Sequence, residues 1–199
     1  MNSDVLLCCT GRHASNKRLI TFGDNYEKGR AMPYIPDGQV LAVPSRAYPP
    51  SSGCSWWKWR KPARSALKVE AVRTFGWLAP GHKFPVGQVD SKNVLLLERA
   101  VQNSRVWVMR GFHCCNFGSE CPCPVLYVIN ERELLLGHAS IVVIDEEGLP
   151  WVAPSLVLHY VIEHEYDPGR KFYDAPETLV RFLQNRIPAP LLDSSQRSW

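Results

Sequence analysis

The sequence predicts an α+β fold in which an antiparallel sheet of about four to five strands carries about three helices on one side. Two observations indicate this fold class. The chain has 199 residues, 45% of them hydrophobic, so it can bury one full core. From residue 71 onward, segments with alternating apolar residues are interspersed with segments of helical apolar spacing. We therefore expect one α+β domain over residues 71–190 and a frayed tail over 191–199.

The first 70 residues differ from the rest in charge and in proline content. They hold 11 Lys+Arg against 5 Asp+Glu, whereas residues 71–199 hold 12 against 14. They also hold six prolines, which fix φ and remove backbone donors at short intervals. We expect an irregular, basic extension over residues 1–70, for which order and disorder are both open alternatives, with short strands at 4–9 and 39–43 that lack an obvious partner.

A run of tryptophans and cations lies inside this extension, at residues 56–64. Lys and Arg neutralise phosphates and Trp faces stack on unpaired bases, so this run favours nucleic-acid binding as one hypothesis. An anionic membrane surface is an alternative target. The plainest interpretation is an irregular basic segment whose tryptophans pack loosely on the main domain or stay exposed.

Short strands account for much of the predicted domain. Period-two alternation and short apolar runs predict them at residues 72–78, 105–111, 124–129, 141–145 and 149–152. The last two are separated by the turn signal Glu146-Glu147-Gly148, so we expect them to form a β-hairpin. The strands at 105–111 and 124–129 border a loop that is rich in cysteine.

Three helices complete the predicted domain. We expect them over about residues 92–102, from Pro154 to the stop signal at 167–169, and over about 175–185. Asp90 or Ser91 can cap the first helix by accepting from a free N–H of its first turn. Pro154 suits the first turn of the second helix. Asp174 and Glu177 match a capping box at the start of the third.

The most distinctive segment is a loop that places one imidazole and four thiols within eleven residues. Zinc takes about four nitrogen or sulfur ligands at roughly 2.0–2.3 Å, and such a loop can deliver three or four of them. Adjacent Cys114 and Cys115 cannot easily both point inward, so Cys115 with His113 is the favoured pair. Cys121 and Cys123 complete the candidate metal ligands in this loop.

Two other interpretations of these cysteines stay open. The chain has seven cysteines, an odd number, and in a cytoplasmic protein that usage favours metal binding or free thiols over disulfides. A disulfide or redox pair is nevertheless one alternative. The other is a loop whose cysteines pack as small hydrophobic residues and bind no ligand.

Two further candidate metal ligands, His159 and His164, lie in the predicted second helix. A helix turns about 100° per residue, so these imidazoles point about 140° apart and reach one metal only if the helix end unwinds. The alternative is that His164 is a core-facing imidazole at the helix end. Ser155, His159 and Glu163 lie one turn apart on a single helix, which argues against a Ser-His-acid triad and predicts a solvated face.

Several well-known signatures are absent from the sequence. It has no glycine-rich dinucleotide fingerprint, no Walker A loop, no His-Glu-x-x-His and no deaminase zinc signature. We therefore expect no nucleotide cofactor, and zinc is the candidate cofactor. No window approaches 18 consecutive apolar residues and the start lacks a signal-peptide pattern, so we expect a soluble cytoplasmic protein without a transmembrane segment.

A succession of short motifs resembles an uncharacterised family of small bacterial proteins, mainly actinobacterial. The motifs are Gly76-Trp77-Leu78, His82-x-Phe84-Pro85-x-Gly87, Arg110-Gly111-x-His113-x-Cys115, Gly137-x-Ala139-x-Ile141 and Ala153-Pro154-x-Leu156-x-x-His159-Tyr160-x-x-x-His164-x-Tyr166-x-Pro168. The resemblance covers about residues 75–175 and implies that His113, Cys115, His159 and His164 matter. The family pattern has a second cysteine two or three residues after the first, and here that position is displaced to Cys121 or Cys123. The resemblance names no activity or substrate.

Three functions fit these observations. The first is a small interaction or accessory protein, of the immunity type for example, with an unknown protein partner and a structural zinc in its Cys/His loop. The second is a metal-dependent hydrolase with His113, Cys115 and His159 as ligands, water at the fourth position and Glu163 as general base. The third is nucleic-acid binding through residues 56–64. A closed site with four protein ligands favours the first over the second.

Overall fold

The computed structural model describes residues 30–31, 33–45, 68–109, 111–118, 120–129, 131–184, 186 and 188. The predicted strand at 4–9, the Trp/Lys/Arg run at 56–64 and the tail at 191–199 lie outside the described residues. Within the described part, no helix is both long and apolar enough to cross a membrane.

The described residues form three helices and ten short strands. The helices are α1 (Ser91–Asn103), α2 (Val157–Glu163) and α3 (Glu177–Leu183). The strands are β1 (Arg30–Ala31), β2 (Val40–Ala42), β3 (Ala71–Thr74), β4 (Arg105–Val106), β5 (His113–Cys114), β6 (Leu126–Ile129), β7 (Arg132–Leu135), β8 (Ser140–Ile144), β9 (Pro150–Pro154) and β10 (Tyr173–Asp174). The predicted α+β class is therefore confirmed.

One sheet forms the centre of the fold, in the order β10-β8-β9-β3-β2, and β4 also pairs with β8. The hairpin of β8 and β9 is confirmed, with Val142 opposite Val152. Strand β3 runs parallel to β9, so the sheet is mixed and the expectation of a purely antiparallel sheet is wrong. Two smaller sheets, β1 with β5 and β6 with β7, lie outside it.

Strand β8 is buried on both faces, and this divides the core in two. Ile141 and Val143 belong to a cluster that includes the apolar faces of α1 and α2. Val142, between them, belongs to a second cluster that includes Leu179 and Leu183 of α3. The sequence predicts the helices on one side, whereas α3 packs on the opposite face from α1 and α2. A continuous apolar run such as the one in β8 is typical of a strand covered on both sides.

Local capping signals explain one helix well and the others poorly. Helix α1 begins after Asp90, whose side chain accepts from the Lys92 N–H, close to the predicted bounds. Helix α2 begins at Val157 and not at Pro154, because Pro154 is the last residue of β9. The capping box predicted for α3 is wrong, since α3 begins after Pro176 without a side-chain cap, and Asp174 instead pairs with Arg99 at 2.8 Å.

Two predicted strands change their extent for tertiary reasons. The strand expected at 105–111 ends at Val106, because Trp107 takes a positive φ of 50° and its indole N–H donates to the Leu183 carbonyl at 2.8 Å. The strand expected at 39–43 is present as β2, and its partner is β3. Leu41 of β2 is buried in the second cluster. Residues 33–45 thus contribute to the sheet, while the domain bounds at 70 and 190 stay predictions.

Replacing Gly76 with alanine is expected to destabilise the fold by about 3 kcal/mol, from left-handed strain and overpacking together. Gly76 has a φ of +67°, and a Cβ there would lie 2.5 Å from Cγ2 of Val157, the first residue of α2. The measurement is the free energy of unfolding in denaturant. Gly38→Ala is the control, because φ is +79° but nothing lies within 4 Å, so about 1 kcal/mol is expected. Equal losses in both variants would contradict the packing argument.

Asp145 stabilises the β8–β9 turn with three hydrogen bonds, and its removal is expected to weaken the fold in a pH-dependent way. Its carboxylate accepts from the backbone N–H groups of Glu147 and Leu149 and, at 2.8 Å, from the Trp151 indole. Burial opposes ionisation, but these bonds and Arg170 outweigh it and lower the pKa of Asp145. A lowered pKa stabilises the fold fully above about pH 4, and this contribution is lost as the pH falls through the folded value.

The test is Asp145→Asn, with the free energy of unfolding measured at pH 7 and near pH 3. At pH 7 the variant is expected to lose about 1–3 kcal/mol, because an amide N–H then faces the indole N–H. The difference from the native chain should shrink at low pH. Asp174→Asn is the exposed control and should change stability by less than about 1 kcal/mol. A pH-independent loss at Asp145 would argue against the role of its charge.

Candidate metal centre

Four side chains from two parts of the chain meet at the side of the first core cluster. They are Cys115, Cys121, His159 and His164, and one ligand atom from each lies within 4.8 Å of all the others. We call this group the Cys2His2 cluster. Cys115 and His159 are buried, while Cys121 and His164 are half-buried.

Two of the three distances measured from His164 fall in the range of a tetrahedral site, and the third is slightly shorter. The Nε2 atoms of His159 and His164 are 3.3 Å apart. His164 Nε2 lies 3.1 Å from Cys115 Sγ and 3.8 Å from Cys121 Sγ. Tetrahedral coordination of zinc at its usual bond lengths places such ligand atoms about 3.3–3.8 Å apart. With all four ligand atoms within 4.8 Å of one another, small side-chain shifts bring them to the spacing that one metal ion requires.

The end of α2 resolves the angular problem of the two histidines. His159 lies inside the helix, whereas His164 is the residue that follows its last turn, with φ −118° and ψ 10°. Glu165 then takes a positive φ of 54°, which turns the chain away. Because the regular helix stops at Glu163, the two imidazoles need not keep the helical angle, and their ring centroids are 5.0 Å apart.

The two thiols come from the loop between β5 and β6. Cys115 directly follows β5, and Cys121 lies six residues farther along. Between them, Phe117 packs its ring against Tyr160 and His164, with centroid distances of 5.5 and 5.2 Å. This aromatic contact holds the loop against α2 and brings both thiols to the histidines.

Burial favours the neutral forms of the Cys115 thiol and the His164 imidazole. Burial raises the pKa of the Cys115 thiol to about 12; the Cys121 thiol adds to this rise, and a backbone hydrogen bond at Phe117 opposes it. Burial also lowers the pKa of His164, although the Glu163 carboxylate partly offsets this. A neutral imidazole offers a lone pair at once, whereas the thiols must lose protons when a metal binds.

A tyrosine and a glutamate lie behind His159. The Tyr127 hydroxyl is 3.4 Å from His159 Nδ1 and donates to Glu163 Oε1 at 3.3 Å. The expectation that Ser155, His159 and Glu163 form a solvated face is wrong, because Ser155 is fully buried and His159 is 4% exposed. The Ser155 hydroxyl accepts from the Gly137 N–H at 2.8 Å and so has a structural role.

Two of the six candidate ligands lie outside the cluster. Cys123 forms a disulfide with Cys114, which closes the loop that contains both cluster thiols. His113 is buried in β5, where its N–H donates to the Gly137 carbonyl at 2.8 Å. The favoured pair of His113 with Cys115 is therefore not brought together at the cluster. The structure instead joins Cys115 with Cys121 and with both histidines of the α2 segment.

Sequence reasoning missed Tyr127 as part of this site. It lies on β6, 32 residues before His159, within a short apolar run that predicts only a strand. A buried tyrosine in a strand is ordinarily a core residue, so nothing local marked it. The i, i+4 spacing of His159 and Glu163 was the available signal, because it places both side chains on one helix face.

Comparisons with known proteins give a family but no relative of known function. The comparisons with curated proteins and with solved structures found no match. One family model matches residues 47–177, a span that covers more than half of the chain and includes the whole Cys2His2 cluster. The chain therefore belongs to the domain family of unknown function DUF7919.

Proposed function

We propose that the protein is a small interaction or accessory protein whose fold is completed by one structural zinc ion in the Cys2His2 cluster. The observation that carries this proposal is the convergence of four ligand atoms within 4.8 Å of one another, on elements brought together by the fold. Two sulfur and two nitrogen ligands are the donor set typical of structural zinc sites.

Charge balance supports zinc in this position. Two thiolates neutralise one Zn²⁺ and two neutral imidazoles add no charge, so the loaded centre carries no net charge. An uncompensated charge would be costly beside buried residues such as Cys115 and Tyr160. Thiolate and imidazole together also select zinc over magnesium or calcium, which prefer oxygen ligands.

A structural role is favoured over hydrolysis because the donor set is complete. A catalytic zinc keeps a position for water and typically has three protein ligands. The hydrolase hypothesis relies on His113, which is not among the four converging residues. It also relies on Glu163 as general base, yet this carboxylate accepts a hydrogen bond from Tyr127.

Metal analysis of the purified 199-residue chain is expected to find about one zinc per chain. Cys115→Ser, Cys121→Ser, His159→Gln and His164→Gln should each lower zinc occupancy, because each removes one of four ligands. His82→Gln is the matched control, since His82 is exposed and stacks on Tyr34. A metal-free native protein with freely titrating thiols would contradict the proposal.

X-ray absorption at the zinc edge of the loaded protein separates the structural and catalytic alternatives. The expected first shell has two sulfur and two nitrogen scatterers, at about 2.3 and 2.0–2.1 Å. A shell in which an oxygen from water replaces one protein ligand would favour the hydrolase. Loaded His113→Gln should give the same spectrum as the native protein, because His113 lies outside the cluster.

A further inference from the structure

We propose that Tyr127 and Glu163 are positioning residues that hold His159 in the tautomer and orientation that a metal ion needs. This inference rests on the proposed metal site and deepens it. Tyr127 and Glu163 lie on the side of His159 that faces away from the other cluster residues. The Tyr127 hydroxyl lies between the imidazole and the carboxylate. None of the three contacts substrate or reacting atoms in this assignment.

The geometry distinguishes the two nitrogens of His159. Its Nε2 atom lies 3.3 Å from His164 Nε2 and so faces the cluster. Its Nδ1 atom faces the opposite way, 3.4 Å from the Tyr127 hydroxyl. A nitrogen that binds metal must offer a lone pair, so in neutral His159 the proton belongs on Nδ1.

The direction of the hydrogen bonds follows from this tautomer. With its proton on Nδ1, His159 donates to the Tyr127 oxygen. That oxygen keeps its own proton and donates it to Glu163 Oε1 at 3.3 Å. An ionised carboxylate only accepts, so the chain of bonds has one consistent polarity, from His159 through Tyr127 to Glu163. The negative end of this chain increases the basicity of the imidazole toward a cation.

Burial makes these bonds difficult to replace with water. Tyr127 is 8% exposed and His159 is 4% exposed. Tyr127 belongs to β6, outside the main sheet, whereas Glu163 lies one helical turn after His159 on α2. The bonds therefore connect β6 to α2, which contains His159 and leads directly into His164, and they fix the rotation of the His159 ring.

The alternative is that Tyr127 supports His159 only by ring packing. The two rings do touch edge to face, with centroids 6.3 Å apart. Tyr127→Phe separates the two explanations, because phenylalanine keeps the ring and removes the hydroxyl. We expect Tyr127→Phe to bind zinc about ten- to hundredfold more weakly than the native protein, measured by competition with a chromophoric chelator.

A spectroscopic measurement reports on the ligand itself. With Co²⁺ in place of zinc, the visible absorption of native protein should be that of a tetrahedral Cys2His2 site. In Tyr127→Phe the bands should shift or weaken as His159 loses its orientation. A merely structural role of the hydroxyl would lower stability and leave this spectrum unchanged.

Two control variants sharpen the test. Thr74→Val also removes a buried hydroxyl, one that donates to the Pro36 carbonyl at 2.9 Å away from the cluster, so it should lower stability but keep native zinc affinity. Glu163→Gln retains an acceptor for the Tyr127 proton, whereas Glu163→Ala does not. Zinc affinity should therefore fall more in Glu163→Ala than in Glu163→Gln.

The outcomes separate this inference from the proposed function. A native protein that binds neither Zn²⁺ nor Co²⁺ overturns both. A native protein that binds both ions, together with native affinity and spectrum in Tyr127→Phe, overturns only the role of Tyr127. If Tyr127→Phe does not fold, the variants of the half-buried Glu163 decide. Zinc affinity equal to that of the native protein in both Glu163→Ala and Glu163→Gln overturns the inference. A larger loss of affinity in Glu163→Ala than in Glu163→Gln supports it.

Discussion

The close backbone approach at Gly137 is the constraint on which the candidate metal centre depends. Gly137 has a φ of +86°, and a Cβ there would collide with the carbonyl oxygen of His113. Its carbonyl accepts from the His113 N–H, and its N–H donates to the Ser155 hydroxyl, both at 2.8 Å. One glycine thus joins the strand before Cys115 to the turn that leads into α2. The thiols and the imidazoles meet because these segments are held together there.

The two imidazoles of the centre depend on where α2 ends. Asp37, which is far from α2 in the sequence, helps to determine this. Tyr166 follows the helix and is fully buried, and its hydroxyl donates to Asp37 at 2.7 Å and accepts from the Gly76 N–H. These bonds anchor the chain just after the positive φ of Glu165. His164 therefore lies between a regular helix and a fixed anchor, and its imidazole turns toward His159.

The sequence predicts best what local interactions decide. Helix α1 follows from Asp90 and its apolar stripe, and the β8–β9 hairpin follows from two apolar runs around a turn. The parallel pairing of β3 with β9 joins residues about 80 positions apart, as Arg73 with Trp151 shows, and no local pattern encodes it. The candidate site divides in the same way. Its residue types and the need for helix unwinding could be predicted, but the choice of Cys121 over Cys123 could not, because both lie in one irregular loop.

That loop explains why a metal would matter to this fold. None of the residues that the structure describes between β5 and β6 belongs to a strand or helix. Ordering this loop therefore costs conformational entropy that no strand or helix hydrogen bonds offset. The disulfide of Cys114 with Cys123 closes the loop, and Phe117 packs it against α2. A zinc ion bound to Cys115 and Cys121 would close a second, shorter loop inside the one closed by the disulfide. Through His159 and His164 it would also connect this loop to the end of α2. Its binding free energy would then stabilise the loop and the helix end first, while the sheet around β8 depends on its own two cores.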